Sequence, residues 1–284
     1  MALAYTSTDI DRWRARVHRH SPRVTVNTKR RALNFIDRVG FCLVFRAEGD
    51  ELSSLWQAVH GPRPDDIPRA QFEKQASAFL WEMKQALPAE GAVYYGKLLQ
   101  HRPTMISLEF LPYFYALSGR TGERDEYMRA ANRGEISSMA RRIMETFGKR
   151  SHLSTRQIRQ MLQKSGPVAT GSFALAMNEL QSKMYIAKGD EDRRPFSFTW
   201  VPVRVLFAAQ VREARHISAE QARRVILEQH LRNQLLCTLP AIRKVFRWSR
   251  QEVYQTLGEL LRRGIISSEA RVEGVSWHVY TYLG

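Results

Sequence analysis

The feature that most constrains the fold is an internal repeat in the C-terminal half of the chain. Three segments of one copy recur in the same order in the other, and they match as residues 140–144 with 222–226, 154–159 with 238–243, and 177–186 with 257–266. In each copy the first two segments open helical patterns, and the third is a helix that runs directly into a short apolar strand. A chain that repeats its pattern in this way is expected to repeat a structural unit.

Each copy ends in a polar turn and a further strand. Residues 188–195 form the turn of the first copy, and residues 196–200 then alternate apolar and polar side chains, as a half-buried strand does. In the second copy, residues 269–274 form the turn and residues 275–282 the strand. The order helix, helix, helix, strand, polar hairpin, strand is that of a winged helix-turn-helix.

The N-terminal half is less regular but contains the same kinds of element. Thr28 is a suitable N-cap for a helix over residues 29–39 that ends at Gly40, and the apolar residues 41–45 indicate a buried strand. Residues 71–86 have the period of an amphipathic helix. We therefore predict an α+β, mainly helical fold with two clear winged helices and a third, more divergent one in the N-terminal half. The predicted domains are residues 1–118, 136–203 and 218–284, with a charged linker over residues 118–135.

The third helix of each C-terminal copy is the predicted recognition helix. The apolar residues that should face the core are Phe173, Met177, Leu180 and Met184 in one copy, and Val253, Leu257, Leu260 and Leu261 in the other. The polar residues of the opposite face are Asn178 and Gln181 in the first copy, and Arg250, Gln251, Gln255 and Arg262 in the second. Arg, Asn and Gln can pair with base edges in the major groove. Because the first copy also presents Ala174 and Leu175, we expect it mainly to support the second.

The charge of the chain predicts a polyanionic partner. Lys and Arg number 44 against 28 Asp and Glu, which gives a formal net charge of +16. Double-stranded DNA, intact, damaged or distorted, is the expected partner, with an anionic membrane surface or a basic ribosomal assembly as the alternatives. Arg193 and Arg194 lie in the polar turn of the first copy, where a wing would meet phosphates. The other basic residues predicted to contact nucleic acid are Arg30, Arg31, Lys188, Arg243, Lys244 and Arg247.

Several classes of protein are disfavoured by what the sequence lacks. The N-terminal residues contain no apolar run of signal-peptide length, and no stretch has the roughly 18 apolar residues of a membrane span. The two cysteines, Cys42 and Cys237, predict buried thiols in a reducing cytoplasm, and a basic protein there is expected at the nucleoid. Neither a metal nor a cofactor is expected, because no ligand spacing, phosphate loop or dinucleotide fingerprint is present.

One acidic residue in the N-terminal half is a candidate for chemistry. Residues 105–117 are the most apolar and aromatic stretch of the chain, and they are typical of a core segment. Glu109 lies inside this stretch, and burial there would raise its pKa and suit it to act as an acid or base. The alternative is that Glu109 caps a backbone turn or pairs with an arginine.

The chain resembles the AlkZ/YcaQ type of bacterial winged-helix proteins, and especially the AlkZ-related branch. The resemblance is carried by residues 35–45, 52–56, 94–99 and 106–109, followed by the tandem winged helices. It implies DNA binding, because members of known activity are monofunctional DNA glycosylases that excise alkylated or crosslinked bases. These members carry a Gln-apolar-Gln or Gln-apolar-Asp motif after a helix–glycine step.

This chain departs from the family at that motif. The matching place follows Val39 and Gly40, and it holds Phe41 to Phe45 with no Gln or Asp. A glycosylase must hold and activate water beside the damaged nucleotide, and these side chains offer no group for it. We therefore expect a DNA-binding protein without catalysis. The two alternatives are a glycosylase that uses another residue, for which Glu109 is the candidate, and a scaffold whose wings contact protein.

Overall fold

The structure, a computed structural model, describes residues 3–17, 26–46, 51–61, 67–193, 196–274 and 277–284. The fold is a mixed α/β one in which helices predominate and the sheets are small, as predicted. The chain divides into two compact units. The first combines Met1–Met83 with Ala219–Gly284, and the second is Lys84–Ser218.

The N-terminal elements begin with a short strand and a helix. Their bounds are β1 (Ala4–Tyr5), α1 (Ser7–Val17), α2 (Lys29–Val39), β2 (Phe41–Leu43), α3 (Leu55–Val59), α4 (Arg69–Ala89), β3 (Val93–Lys97) and β4 (Pro103–Ser107). The predicted bounds of the helix α2 are confirmed. Thr28 caps it by accepting a hydrogen bond from the amide of Arg31, and Gly40 ends it with a φ of 76° that a glycine adopts readily. From α2 to β4 the order is helix, strand, helix, helix, strand, strand.

The second compact unit contains the next copy of this order. After α5 (Leu111–Leu117) and α6 (Glu126–Asn132), the copy consists of α7 (Ser138–Phe147), β5 (Leu153–Ser154), α8 (Thr155–Gln163), α9 (Thr170–Ser182), β6 (Ile186–Arg193) and β7 (Phe196–Pro202). Two further helices, α10 (Val203–Leu206) and α11 (Ala208–Ala214), follow it. The sheet has the order β5-β7-β6 and is antiparallel, with Leu153 opposite Trp200.

The last copy lies in the first compact unit. It consists of α12 (Ala219–Gln234), β8 (Leu236–Cys237), α13 (Leu239–Phe246), α14 (Arg250–Arg262), β9 (Ile266–Ser267) and β11 (Tyr280–Tyr282), while the intervening β10 (Arg271–Val272) pairs with β1. The sheet order β8-β11-β9 repeats the arrangement of the preceding copy, because the last strand again lies in the middle. The N-caps of α8, α13 and α14 are Ser154, Thr238 and Ser249, and those of α8 and α14 are capping boxes.

The predicted core of each C-terminal copy is confirmed. Phe173, Met177, Leu180 and Met184 are buried, and so are Val253, Leu257 and Leu260, whereas Leu261 is half-buried. In both copies the apolar stripe of the third helix packs on the helices before it and on the sheet. The opposite face of that helix is therefore the one available to a partner.

The prediction of a linker over residues 118–135 is wrong in part. The segment contains α6, and the carboxylate of its first residue, Glu126, accepts hydrogen bonds from Arg120 at 2.9 Å and from the amide of Thr121 at 2.8 Å. The Arg120 guanidinium also lies 3.1 Å from the centre of the Tyr185 ring. One buried glutamate thus orders a charged segment whose composition alone predicted a loop.

In the part of the chain that the structure describes, no helix has both the length and the apolar character that a bilayer span requires.

Candidate nucleic-acid interface

The exposed face of α14 carries the residues predicted to read bases. Arg250, Gln251, Gln255 and Arg262 are all exposed, on the side opposite the buried apolar stripe. Tyr254, which the sequence analysis missed, lies among them. The Arg250 guanidinium donates a hydrogen bond to the Tyr254 hydroxyl at 3.2 Å and lies 5.4 Å from the centre of its ring. The face therefore combines planar donors with an exposed aromatic ring, both of which suit the edges and faces of bases.

The acidic residue at the start of α14 is tied back to the protein. Glu252 accepts a hydrogen bond from the amide of Ser249 at 2.8 Å, and this bond is the main reason why the pKa of its carboxyl is lowered. The carboxylate also pairs with Arg223 at 2.9 Å. The negative charge of Glu252 is thus balanced locally, and the exposed face of α14 stays attractive to an anion.

The basic residues predicted around the end of α13 are exposed. They are Arg243, Lys244 and Arg247. Arg247 ends the helix in the left-handed conformation, with a φ of 59°, which places it in the turn between α13 and α14. The Nζ of Lys244 pairs with Glu51 at 2.8 Å. Its charge is partly neutralised, and we expect it to contribute less than Arg243 to any contact with phosphate.

A glycine lies in the middle of the exposed stripe of α14. Gln251, Gln255, Gly258 and Arg262 follow one another at helical spacing. A Cβ at Gly258 would have no atom within 4 Å, so the packing of the described residues does not require glycine here. Glycine in a helix interior is less stable than alanine by roughly 0.5–1 kcal/mol. Glycine therefore lowers the stability of the helix here, and the close approach of a partner to this face would account for it.

The predicted recognition helix of the preceding copy, α9, presents a weaker surface. Ala174 and Leu175 point outward as predicted, Leu175 with 72% of its surface exposed, and Asn178 is half-buried. The predicted exposure of Gln181 is wrong, since only 4% of its surface is accessible. Gln181 follows Met177 by one turn and therefore lies on the inward stripe, where its side-chain amide donates to the Met177 carbonyl at 3.0 Å.

The predicted exposure of Lys188 is also wrong. Its surface is 1% accessible, its Nζ pairs with Glu191 at 3.2 Å, and it donates to the carbonyl of Lys84 at 3.1 Å. Glu191 lies 4.0 Å from the Nζ of Lys84, which is also buried. Desolvation lowers the pKa of both lysines, and the nearby Glu191 carboxylate partly opposes that effect. We refer to Lys84, Lys188 and Glu191 as the buried lysine pair with its glutamate.

A bulge in β6 explains why these groups meet. Lys188 is opposite Trp200 and Glu191 is opposite Phe198, so that three steps along β6 match two along β7. In a regular strand residues three apart face opposite sides, and the extra residue of a bulge brings them to the same side. Of the two arginines predicted to lie in a wing, the side chain of Arg193 and all of Arg194 lie outside the described residues. Their contact with phosphate stays a prediction.

A cavity of about 300 Å³ opens beside this cluster. Its apolar walls are the rings of Tyr95, Phe173, Phe198 and Trp200. Its polar lining includes Arg159, Asn178 and Lys188. A shallower groove of about 460 Å³, lined by Arg156 and the exposed Phe196, shares Arg159 and Phe198 with it. The sequence signal for this cavity was weak, because its residues come from five separate elements.

The N-terminal candidates lie in different environments. Glu109 is exposed, so the prediction of a buried carboxylate is wrong; the residues around it are core, as predicted, but its own side chain faces outward. Arg30 is exposed, and Arg31 donates to the side chain of Asn27 at 2.9 Å. The residues Phe41, Cys42, Leu43 and Val44 are buried, which confirms the prediction of a buried strand.

The end of this strand leads to an aromatic contact. Phe45 is half-buried, and its ring centre lies 5.9 Å from that of Trp81, which is exposed. No amide or carboxylate replaces the missing polar motif within residues 41–45 themselves. This segment therefore offers apolar packing and no group that could orient a water molecule.

Both cysteines are buried free thiols, as predicted, and desolvation raises the pKa of each to about 12. They are therefore protonated and unreactive at neutral pH. Within the described ranges, no three or more His, Cys, Asp or Glu side chains are grouped so that they could hold a metal ion.

Comparisons with known proteins agree on one relationship. A family model described as AlkZ related matches residues 26–247. Among solved structures, the fold is similar to that of the Streptomyces sahachiroi DNA glycosylase AlkZ, with a TM-score of 0.60 and 12% sequence identity over 99% of this chain and 70% of that one. No curated protein matches the chain. At this level of identity the structural likeness establishes the fold and not the activity.

Proposed function

Because the chain belongs to the AlkZ-related family, we propose that it is a DNA-binding protein whose three copies of the repeated element order are winged helices and whose α14 reads duplex DNA. The single observation that carries this proposal is the exposed row of Arg250, Gln251, Gln255 and Arg262 on a capped helix whose other face is fully used by the core. A helix of this kind fits the major groove.

Two further observations support DNA as the partner. The net charge of +16 provides the non-specific attraction that brings a protein to a phosphate backbone. The similar structure is that of a DNA glycosylase, a protein that acts on DNA. A protein partner for the same faces would instead favour apolar residues, of which α9 has Leu175 and α14 has only Tyr254 exposed.

We propose binding without base excision by the motif that the resembled glycosylases use. The place of that motif is occupied by the buried apolar strand β2 and by Phe45. Excision requires a polar group that aligns water and stabilises the positive charge that develops on the sugar. The function that remains is recognition of DNA, either in regulation or in the marking of damaged sites.

Duplex binding measured by mobility shift at several salt concentrations tests the proposal. About six phosphate contacts would reduce the affinity roughly a thousandfold between 50 and 200 mM salt. Changing Arg250 and Gln251 together to alanine should weaken binding without unfolding the protein, because both side chains are exposed. Asn178→Ala on α9 is the matched control and should matter less.

Two results would contradict the proposal. Absence of binding at low salt would exclude DNA as the partner and favour a scaffold that contacts protein. A larger loss from Asn178→Ala than from the double variant would transfer the reading role from α14 to α9.

A further inference from the structure

The cavity in the second compact unit is built more rigidly than a surface groove. The Trp200 indole N–H donates to the Thr155 hydroxyl at 2.8 Å, and that hydroxyl donates to the Phe198 carbonyl at 3.2 Å. The rings of Phe198 and Trp200 meet edge to face with centres 5.9 Å apart. Walls held in this way bind a planar ligand without first losing conformational freedom.

One lysine of a buried charged cluster, Lys188, lines the cavity. Two buried lysines share one glutamate, so that the group of three has a net charge of +1 when all are ionised. Lys188 faces the cavity, and its ammonium group has three N–H donors. The Lys84 carbonyl accepts one of them at 3.1 Å and Glu191 is paired with the ammonium group at 3.2 Å, so a donor remains for an acceptor atom in the cavity. A buried cation arranged in this way favours a ligand with electronegative atoms.

The mouth of the cavity carries a second cationic group. The Arg159 guanidinium stacks on the Phe173 ring at 4.2 Å, and Arg156 lies one helical turn away on the same exposed side of α8. A ligand that enters between the rings would therefore place an attached anionic group beside two arginines. Arginine in such a position suits phosphate.

We propose that this cavity binds one unstacked nucleotide, with the base between the aromatic walls, an acceptor atom of the base toward Lys188 and the phosphate beside Arg159. The volume of about 300 Å³ lies at the lower end of the range for small-molecule cavities, which suits a ligand as small as one nucleotide. Planar aromatic walls with a buried donor are the means by which proteins hold a base outside the helix.

The proposal extends the proposed function, since a base displaced from bound DNA is the nearest source of such a nucleotide. A free mononucleotide offers the same chemistry, and the experiment separates the two sources. It uses an end-labelled duplex with one 2-aminopurine opposite an abasic-site analogue, the same duplex with 2-aminopurine paired to thymine, and free 2-aminopurine deoxynucleoside monophosphate. Anisotropy gives the affinity for the duplexes, and fluorescence quenching reports stacking of the base.

The matched variants use two adjacent positions on α9. Ala174 lines the cavity and is exposed, so Ala174→Trp fills the cavity without removing any contact of the core. Leu175 is exposed and does not line the cavity, so Leu175→Trp adds the same side chain elsewhere. Arg159→Ala removes the charge at the mouth, and Arg141→Ala removes one from α7, where Arg141 pairs with Glu145.

We expect wild-type protein to prefer the duplex with the unpaired base by roughly tenfold or more, the size of one base–aromatic stacking contact. Ala174→Trp should abolish that preference and Arg159→Ala should reduce it, while Leu175→Trp and Arg141→Ala leave it unchanged. Saturable quenching of the free nucleotide's fluorescence that is lost in Ala174→Trp would support nucleotide binding in the cavity. It would also show that the ligand can be a free nucleotide.

Two outcomes overturn the proposal. One is that the protein neither binds the duplex with the unpaired base more tightly than the paired duplex nor quenches the free nucleotide saturably. The other is that Leu175→Trp is as harmful as Ala174→Trp. If wild-type protein binds no duplex at all, the proposed function fails and the free-nucleotide arm still decides the cavity.

Discussion

Single residues buried in this fold carry consequences that a pattern of hydrophobicity does not reveal. His230 is 1% exposed, and its ring lies against those of Phe41 and Phe246, with centres 6.5 and 5.1 Å away. Burial lowers the pKa of this histidine to about 3, because a charged imidazolium would lose its hydration there. The folded protein therefore keeps His230 neutral at pH values at which the unfolded chain protonates it.

This difference predicts a pH dependence of stability. Between the unfolded pKa of about 6.5 and the folded pKa of about 3, the unfolded state binds one more proton, so His230 reduces the free energy of unfolding as the pH falls. From pH 7 to pH 5 the loss should be roughly 2 kcal/mol. His230→Phe should remove this contribution while keeping an aromatic ring between its neighbours.

Urea unfolding at pH 7 and pH 5 measures the effect. His216→Phe is the control, because His216 is exposed and lies in the other compact unit. An equal loss of stability in wild-type protein and His230→Phe would show that His230 does not cause the dependence.

Glu109 is the second single residue that carries a prediction, and this one concerns function. Its exposure removes the desolvation that would prepare a carboxylate for acid or base chemistry. We expect no excision of an N7-alkylated purine above the level of a protein-free sample, when abasic sites are revealed with alkali. A DNA glycosylase of known activity on the same duplex serves as the positive control. Turnover that Glu109→Gln abolishes, with folding and DNA binding intact, would reverse this conclusion.

At the scale of elements, the third helix of each C-terminal copy divides its surface between the core and solvent. The apolar stripe of α14 is buried, and its polar stripe carries a glycine in the middle. The packing of the described residues does not require that glycine, because a Cβ there would meet no atom within 4 Å. The same is true of Gly171 in the first turn of α9. The two positions therefore form a natural pair for comparison.

We predict that Gly258→Ala and Gly171→Ala each raise the free energy of unfolding, by up to about 1 kcal/mol. Only Gly258→Ala should weaken DNA binding, because the added methyl group lies on the face that we assign to the groove. Thermal unfolding and the mobility-shift titration together test both parts. Unchanged binding by Gly258→Ala would mean that DNA does not approach α14 closely at this point.

At the scale of the whole molecule, the first compact unit joins the two ends of the chain. The side-chain amides of Gln229 and Asn233 on α12 donate to the carbonyls of Arg38 and Val39 at 3.0 and 2.8 Å, at the end of α2. The Trp13 indole donates to the carbonyl of Arg232 at 2.9 Å. Residues nearly 200 positions apart therefore satisfy two C-terminal carbonyls of α2, a position at which a helix offers no partner of its own.

Truncation after Ser218 should consequently unfold α2 while the second compact unit persists. We expect amide hydrogens of residues 29–39 to lose their protection from exchange in the fragment, because the polar partners and ring contacts from α12 are gone. Amides of α7, α8 and α9 serve as the internal reference and should stay protected, since their core lies within residues 130–200. Retained protection of α2 would show that this helix does not need residues 219–284 to fold.

The sequence by itself determined the local features of this protein. The caps Thr28, Ser154 and Ser249, the end of α2 at Gly40 and the buried stripe of α14 all depend on residues within a turn or two of one another. Their interactions are local, so their patterns survive in the order of residues. The repeat of element order was visible for the same reason.

Only the tertiary structure decided which polar side chains are buried. Lys188 is inside because a bulge turns β6 and because Lys84, 104 residues earlier, supplies a carbonyl for its ammonium group. Glu109 is outside although its neighbours form the core, since one side of that segment faces solvent. The cavity joins residues from Tyr95 to Trp200. Whether a polar group is buried depends on partners distant in sequence, and no local period or spacing records them.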